Sequence, residues 1–282
     1  WKRLKELLSY GWKLLVSALL ETVYNNLRNL VIGKLYSSAD LAYYNQGDKF
    51  PKLIVTNINT SIDSVLLPTM ASAQDDSARV KNMTRRAIKT STYIMAPLMI
   101  GLAFCANTIV ELVLTEKWLP CVPFLQIFCI TYMFYPVHTA NLNAIKAMGK
   151  SDIFLKLEII KKIVGMALLL STMWFGVMAM AYSLLVSCVL NQIINSWPNK
   201  KLLNYGYLEQ LKDILPGILL AVLMGIVVYF VGAIKLPVIV ILIIQVIVGA
   251  VVYIALSMKF HLEAFEYLWG MLKNMLNKKK SK

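Results

Sequence analysis

Apolar blocks near 20 residues long recur along the chain, and they restrict its fold more than any other feature of the sequence. A helix rises about 1.5 Å per residue, so roughly 20 apolar residues cross a hydrocarbon layer about 30 Å thick. Strands buried in a soluble core would be about 4–8 residues long and bounded by turn signals. With 58% hydrophobic residues, a soluble domain of 282 residues could not bury so much apolar surface. The pattern therefore predicts an all-α integral membrane protein.

The blocks predict about eight transmembrane helices. Their predicted ranges are 11–33, 50–73, 90–113, 119–145, 159–175, 177–195, 214–234 and 236–257. Lysine and arginine accumulate in cytoplasmic loops. With the N-terminus placed inside, most of the 29 basic residues fall in the inner segments, so we expect both ends of this chain in the cytoplasm. The net charge of +14 is then a topology signal, and no nucleic acid is expected as a partner.

The two ends of the sequence carry their own signals. The opening WKRLKELLSYGWK is typical of the middle of a longer protein, so we expect the chain to be a fragment. The last segment, 259–282, mixes aromatic, Leu and Met residues with lysines. This pattern predicts an amphipathic basic tail on the inner membrane surface, with the lysines at anionic headgroups. A frayed basic end is the alternative interpretation.

Polar residues follow one face of each of the first two predicted spans. In span one, the charged and amide residues are spaced i, i+4, i+7: Glu21, Asn25 and Arg28. In span two, the spacing is i, i+4, i+7, i+11: Lys52, Thr56, Asn59 and Asp63. Residues at these spacings share a helix face. Because consecutive spans are antiparallel, we expect the two faces to line a shared cavity.

Charged groups inside a membrane are candidates for function. Arg28 is therefore a candidate substrate contact, and a structural ion pair with Glu21 or Asp63 is the alternative. Glu21 and Asp63 are predicted near mid-membrane and are candidates for ion or proton coupling, unless one of them serves as the partner of Arg28. His138, in span four, could relay protons or make an interhelical hydrogen bond.

The sequence lacks the motifs of an enzyme. It has no glycine-rich phosphate loop, nucleophile elbow, HExxH motif or cysteine–histidine metal spacing. We expect neither catalytic residues nor a metal or cofactor. Transport would then depend on an ion gradient, with H⁺ or Na⁺ as the coupling ion, or on the substrate gradient alone.

Four segments resemble one family. They are YGWKLLVSALLETVYNNLRNLVIGKLYSSADLAYYNQGDKFP, SVLLPTMASAQDD, LTEKWLPCVPFLQIFC and NAIKAMGKSDIFLKLEIIKK. They are similar to the second half of bacterial Wzx-type polysaccharide (O-antigen) flippases, of the multidrug/oligosaccharidyl-lipid/polysaccharide exporter superfamily. Such proteins have two six-helix bundles with a MATE-like fold, some with two further helices. The resemblance implies a second bundle at 1–196, an added pair at 197–258 and a tail at 259–282, with the first bundle missing from this chain.

The resemblance also implies a function and site residues. The family moves lipid-linked oligosaccharides, commonly on undecaprenyl pyrophosphate, across the bacterial inner membrane for surface polysaccharide and lipopolysaccharide synthesis. Arg28 would engage pyrophosphate or acidic sugars, with Lys49 and Lys52 as weaker candidates. The sugar hydroxyls would be bound by Tyr24, Asn25, Asn29 and Asn59.

Two other functions remain open from the sequence. A cation-coupled drug or metabolite antiporter of the same superfamily would use Glu21 or Asp63 for coupling. A membrane glycan polymerase or acyltransferase is a third hypothesis, although the short outer loops leave little room for a catalytic domain.

Overall fold

The computed structural model describes residues 2–234 and 236–280, without the side chains of residues 2–10, 13, 20, 21, 24, 25 and 275–280. Within this part of the chain the regular elements are helices. Eleven are α-helices: α1 Lys2–Leu35, α2 Ser38–Ala71, α3 Ser77–Phe104, α4 Ala106–Leu114, α5 Val122–Met133, α6 Tyr135–Ala147, α7 Ser151–Thr172, α8 Val177–Leu202, α9 Tyr207–Gly232, α10 Val238–Lys259 and α11 Glu263–Lys280. A 3₁₀ helix, Glu116–Cys121, precedes α5.

Five segments of the described chain are long and apolar enough to cross a membrane. They are Ser77–Phe104, Glu116–Ala147, Val177–Leu202, Tyr207–Gly232 and Val238–Lys259. The other three predicted spans lie largely within α1, α2 and α7, each of which carries several charged residues. The prediction of an all-α, multi-pass membrane protein is confirmed, and each of the eight predicted spans coincides with helical structure.

Several predicted spans differ in their boundaries from the helices, and spans three and four differ the most in organisation. Span three begins earlier than expected, because Asp76 caps α3 by accepting a hydrogen bond from the Arg79 amide at 2.9 Å. Its helix also ends at Phe104, and α4 is a separate element. Span four is interrupted at Phe134, where Pro136 lies in the first turn of α6. Proline has no amide hydrogen to continue the ladder of α5, so the chain restarts as a second helix.

The turn between α1 and α2 is fixed by a capping box at Ser37. The Ser37 hydroxyl accepts a hydrogen bond from the Asp40 amide at 3.1 Å, and the Asp40 carboxylate accepts one from the Ser37 amide at 3.3 Å. These bonds satisfy amide groups that a helix start would leave without partners. Helix α2 therefore begins at Ser38, twelve residues before the predicted span.

Helix α2 lies in a central position, in contact with α5, α6 and α3. Helix α1 packs mainly against α7, and α7 packs against α8. Gly47 allows α2 to approach α5 closely, because a Cβ atom there would lie 2.7 Å from the Phe124 Cβ and 2.8 Å from the Leu125 amide nitrogen. This arrangement brings polar side chains of α1, α2, α5 and α6 around one space.

Helices α9 and α10 follow as a pair. Helix α9 packs against α3, and α10 packs against α9. The side chain of Tyr253 on α10 donates a hydrogen bond to the Tyr93 carbonyl oxygen at 2.9 Å, which connects the outer helix to α3. The division of the chain at residue 196 into a bundle and an added pair stays a prediction, although this pair is continuous with the core around α3.

The tail predicted at 259–282 contains α11, which lies along α3. Glu263 pairs with Lys89, and the Arg86 guanidinium lies 4.7 Å from the centre of the Tyr267 ring. Trp269 and Leu272 are exposed. The helix thus combines an anchored face with exposed apolar side chains, and its position on a membrane surface stays a prediction.

Candidate functional site

A polar cavity of about 450 Å³, here called the main cavity, lies between α1, α2, α5, α6 and α8. Of these helices, α5, α6 and α8 belong to segments long and apolar enough to cross a membrane. The polar residues that line it are Asn26, Arg28, Asn29, Tyr44, Asn45, Asp48, Lys52, Thr56, Asn59, Thr60, Asp63, Tyr132 and Tyr135. This lining offers amides, hydroxyls and charges of both signs.

Helix α2 supplies the longest polar row of the main cavity. Lys52, Thr56, Asn59 and Asp63 all line it, as their spacing predicts. The row extends one turn further, to Asp48, whose carboxylate lies 3.3 Å from the Lys52 ammonium and accepts a hydrogen bond from the Tyr132 hydroxyl. The Lys52 side chain remains 64% exposed, so this cation is open to a ligand.

Arg28 lines the main cavity but also connects two helices. Its side chain is 4% exposed. The Nη1 atom donates hydrogen bonds to the Met180 carbonyl oxygen and, at 3.2 Å, to the Ser183 hydroxyl, both on α8. Arg28 therefore holds α1 against α8 in addition to placing a cation at the cavity wall.

Asp63 lies at the other end of the α2 row. The Asn143 side chain of α6 donates a hydrogen bond to its Oδ1 atom at 2.5 Å. This bond connects the end of the row to a neighbouring helix and fixes the direction of the carboxyl group. Asp63 thus brings an acidic group into the cavity, in contact with α6.

The predicted site residues divide into two groups. Arg28, Asn29, Lys52, Asn59 and Asp63 line the main cavity together. The side chains of Glu21, Tyr24 and Asn25 lie outside the described residues. Lys49, the weaker candidate, is exposed and is not among the lining residues.

Sequence reasoning missed Asp48 and Asn45, because the second span was predicted to begin at residue 50. The signal was present in the sequence, since Asp48 and Lys52 are spaced i, i+4 and Ser37 with Asp40 forms a capping box well upstream. A helix that starts at that cap carries its polar face beyond the apolar block.

A second polar cavity, here called the smaller cavity, has a volume of about 270 Å³ and lies between α6, α7 and α8. His138 belongs to it. Its Nδ1 atom lies 3.2 Å from the Asn195 side-chain nitrogen of α8, an interhelical contact of the kind that was one interpretation of this histidine. Among the described residues, no group of three or more His, Cys, Asp and Glu residues has the geometry of a metal site.

Comparisons with known proteins agree with this architecture. The family described as "Polysaccharide biosynthesis protein" matches residues 1–123. The chain is 26% identical over 201 residues to an uncharacterized membrane protein in the cps region of Klebsiella pneumoniae, covering 69% of this chain and 41% of the relative. It is 25% identical over 189 residues to the lipopolysaccharide biosynthesis protein WzxC of Escherichia coli, covering 67% of this chain and 38% of WzxC.

The predicted resemblance to Wzx-type polysaccharide flippases is confirmed. A further relative is the teichuronic acid biosynthesis protein TuaB of Bacillus subtilis, 22% identical over 227 residues, covering 80% of this chain and 47% of TuaB.

A solved structure shares the fold. The lipid II flippase MurJ in an inward closed conformation matches with a TM-score of 0.73 and 17% sequence identity, over 87% of this chain and 52% of MurJ. The chain spans less than half the length of the curated relatives it matches. The chain therefore shares the fold of the part of MurJ that it matches, about half of that structure.

Proposed function

We propose that this chain forms part of a flippase that moves lipid-linked oligosaccharide units across the cytoplasmic membrane for surface polysaccharide synthesis. The observation that carries the proposal is the main cavity, in which charged, amide and hydroxyl groups are gathered between helices of a membrane protein. Polar groups in hydrocarbon are costly unless they face a protein interior or water. A cavity of this kind provides a polar path for a headgroup while the lipid tail stays in the bilayer.

The chemistry of the lining suits a phosphorylated saccharide. Lys52 and Arg28 place cations at the wall, and guanidinium and ammonium groups bind phosphate oxygens. Asn29, Asn59 and Thr56 offer donors and acceptors for sugar hydroxyls. We further propose that the lipid carrier is undecaprenyl pyrophosphate, on the basis of the family resemblance.

The name of the structural relative favours a transporter over an enzyme, because MurJ is named a lipid II flippase. The names of WzxC and TuaB refer to synthesis of lipopolysaccharide and teichuronic acid, which favours a surface polysaccharide as the end product. On this proposal, the chain works with a first bundle, in the bacterial inner membrane, with both of its own ends in the cytoplasm. Asp63 is the coupling candidate that lies within the described residues, and the hydrogen bond from Asn143 would change when it binds a proton or a cation.

Lys52→Ala in the complete natural protein tests the proposal. We expect at least a tenfold loss of surface polysaccharide, measured by antibody or lectin binding to cells, because the cavity loses its most exposed cation. Lys49→Ala is the matched control, since Lys49 is also on α2 but does not line the cavity. Arg28→Ala should abolish display as well, but it also removes the contacts to Met180 and Ser183, so Lys52 is the cleaner probe.

Membrane abundance of each variant is measured in parallel by immunoblotting. Normal polysaccharide display in cells that carry the Lys52→Ala protein at wild-type abundance would remove Lys52 from the site. If Arg28→Ala also displays normally, the flippase proposal for this cavity is wrong.

A further inference from the structure

The smaller cavity adjoins the main cavity. Tyr135 and Leu184 line both of them, so these two side chains form the shared wall. Tyr135 lies just after the break at Phe134 between α5 and α6, and 38% of its surface is exposed. These two side chains therefore separate the cavities, and Tyr135 lies beside the interruption between α5 and α6.

Charged groups on α7 line the smaller cavity. Glu158 and Lys161 form an ion pair at 2.6 Å, with side-chain exposures of 7% and 11%. Lys162 lies beside them in the lining. Glu158 and Lys161 offset one another, and hydroxyl and amide groups outnumber charged groups in this lining, so hydrogen bonding would contribute most to the selection of a ligand here.

Two amide oxygens of the smaller cavity lack a hydrogen-bond partner. Asn195 is 1% exposed, and its Oδ1 atom accepts no hydrogen bond from the described residues. The Oδ1 atom of Asn191, one helical turn earlier on α8, is in the same situation. Buried acceptors are nearly always paired in folded proteins, and these two oxygens have almost no accessible surface, so each amide would have to turn toward the cavity for a ligand to donate a hydrogen bond to it.

We propose that the smaller cavity is a separate subsite for one neutral sugar residue of the transported headgroup. Its volume of about 270 Å³ lies below the range of about 300–1,000 Å³ of pockets for drug-sized ligands, so it would take a fragment of the headgroup. Sugar hydroxyls both donate and accept, which suits the Asn191 and Asn195 oxygens together with the lysine donors. The Tyr135 ring offers an apolar face to the C–H side of a sugar ring.

This subsite rests on the proposed function and adds selectivity to it. The main cavity would hold the charged part of the headgroup, and one sugar would pass Tyr135 and Leu184 into the smaller cavity. A sugar whose hydroxyls cannot reach the two asparagine oxygens would leave these buried acceptors unpaired and would therefore bind more weakly. The smaller cavity could discriminate between headgroups in this way.

Binding of soluble methyl glycosides to the purified complete protein tests the subsite. The probes are methyl glycosides of glucose, galactose and N-acetylglucosamine, followed by saturation-transfer NMR, which detects weak ligands. We expect at least one of them to bind to the wild type, and its affinity to fall at least fivefold in Asn191→Leu, which removes an acceptor and fills the cavity. Asn57→Leu is the matched control, because Asn57 lies on α2 and lines neither cavity.

Thr139→Val provides a second variant if Asn191→Leu does not fold, because it removes a hydroxyl from the same cavity with little change in shape. A wild type that binds none of the glycosides, or equal affinity in the variants of the smaller cavity, overturns the subsite. Affinity lost in Asn59→Leu but kept in Asn191→Leu would place the sugar in the main cavity and also overturn it.

Surface polysaccharide in cells separates this failure from that of the proposed function. If polysaccharide display depends on Lys52 while no glycoside binds, the subsite alone is wrong. If display does not depend on the protein at all, the flippase proposal is wrong.

Discussion

Asp213, in the first half of α9, connects this helix to α3 and to the turn that precedes α9. Its carboxylate accepts hydrogen bonds from the Arg85 Nε and Nη2 atoms, both at 2.8 Å, and from the Tyr205 hydroxyl at 2.8 Å. Burial raises the pKa of Tyr205, so its phenol stays protonated and remains a donor. A bidentate arginine pair with a further donor is among the stronger polar contacts in proteins.

Asp213→Asn should therefore destabilise the protein by about 1.5–3 kcal/mol, the usual value of hydrogen bonds to charged groups. The measurement is thermal unfolding of the purified complete protein in detergent. Glu263→Gln is the matched control. Its pair with Lys89 involves a carboxylate side chain that is 79% exposed, and exposed pairs contribute about 0–1 kcal/mol. Equal midpoints for wild type and Asp213→Asn would show that the contact contributes little.

At the scale of elements, the contact between α2 and α5 depends on the absence of a side chain at Gly47. A Cβ atom at this position would meet the Leu125 nitrogen of α5 at 2.8 Å and the Cys121 carbonyl oxygen, at the end of the preceding 3₁₀ helix, at 3.0 Å. Backbone atoms of a helix cannot move away from an added methyl group as easily as the end of a flexible side chain can. Because α2 carries the polar row, a shift of α2 would also reshape the main cavity.

Gly47→Ala is expected to lower the free energy of unfolding by about 1–3 kcal/mol, the usual cost of overpacking, despite the better helix propensity of alanine. Gly11→Ala on α1 serves as the comparison. A Cβ atom at Gly11 would have no neighbour within 4 Å, so only the higher helix propensity of alanine would change the stability there. Thermal unfolding of both variants checks the prediction. A higher unfolding temperature for Gly47→Ala than for the wild type would mean that α2 and α5 can move apart at no cost in free energy.

At the scale of the whole molecule, the order of the helices and the distribution of basic residues predict which connections face the cytoplasm. The α1–α2 turn at residues 36–37 should lie outside, and the α2–α3 connection at residues 72–76 should lie inside. The four native cysteines are buried, so introduced cysteines would report with little background.

Ser38→Cys should react with a membrane-impermeant maleimide in intact cells, and Asp75→Cys should react only after the membrane is permeabilised. Both positions are exposed, so a difference in labelling reports the side of the membrane rather than burial. Labelling of Asp75→Cys in intact cells, with Ser38→Cys protected, would invert the proposed topology.

Much of the candidate site could be predicted from periodicity alone. The spacing from Lys52 to Asp63 fixes one helix face, and all four polar residues at those positions line the main cavity. Asp48 was missed because an apolar block marks the part of a helix within lipid, whereas the cap at Ser37 sets where the helix begins. The contacts of Arg28 with Met180 and Ser183 could not be predicted, since they join residues more than 150 positions apart.

The class of the protein, the approximate positions of its helices and the polar face of α2 follow from the sequence, because hydrophobic length and helical period are local properties. The contacts that join α1 to α8 through Arg28, the hydrogen bond from Asn143 to Asp63, and the separation of two cavities by Tyr135 and Leu184 emerge only in the folded chain. These features depend on how distant helices pack. The packing is set by shape at positions such as Gly47, and a pattern along one helix carries no information about its neighbour.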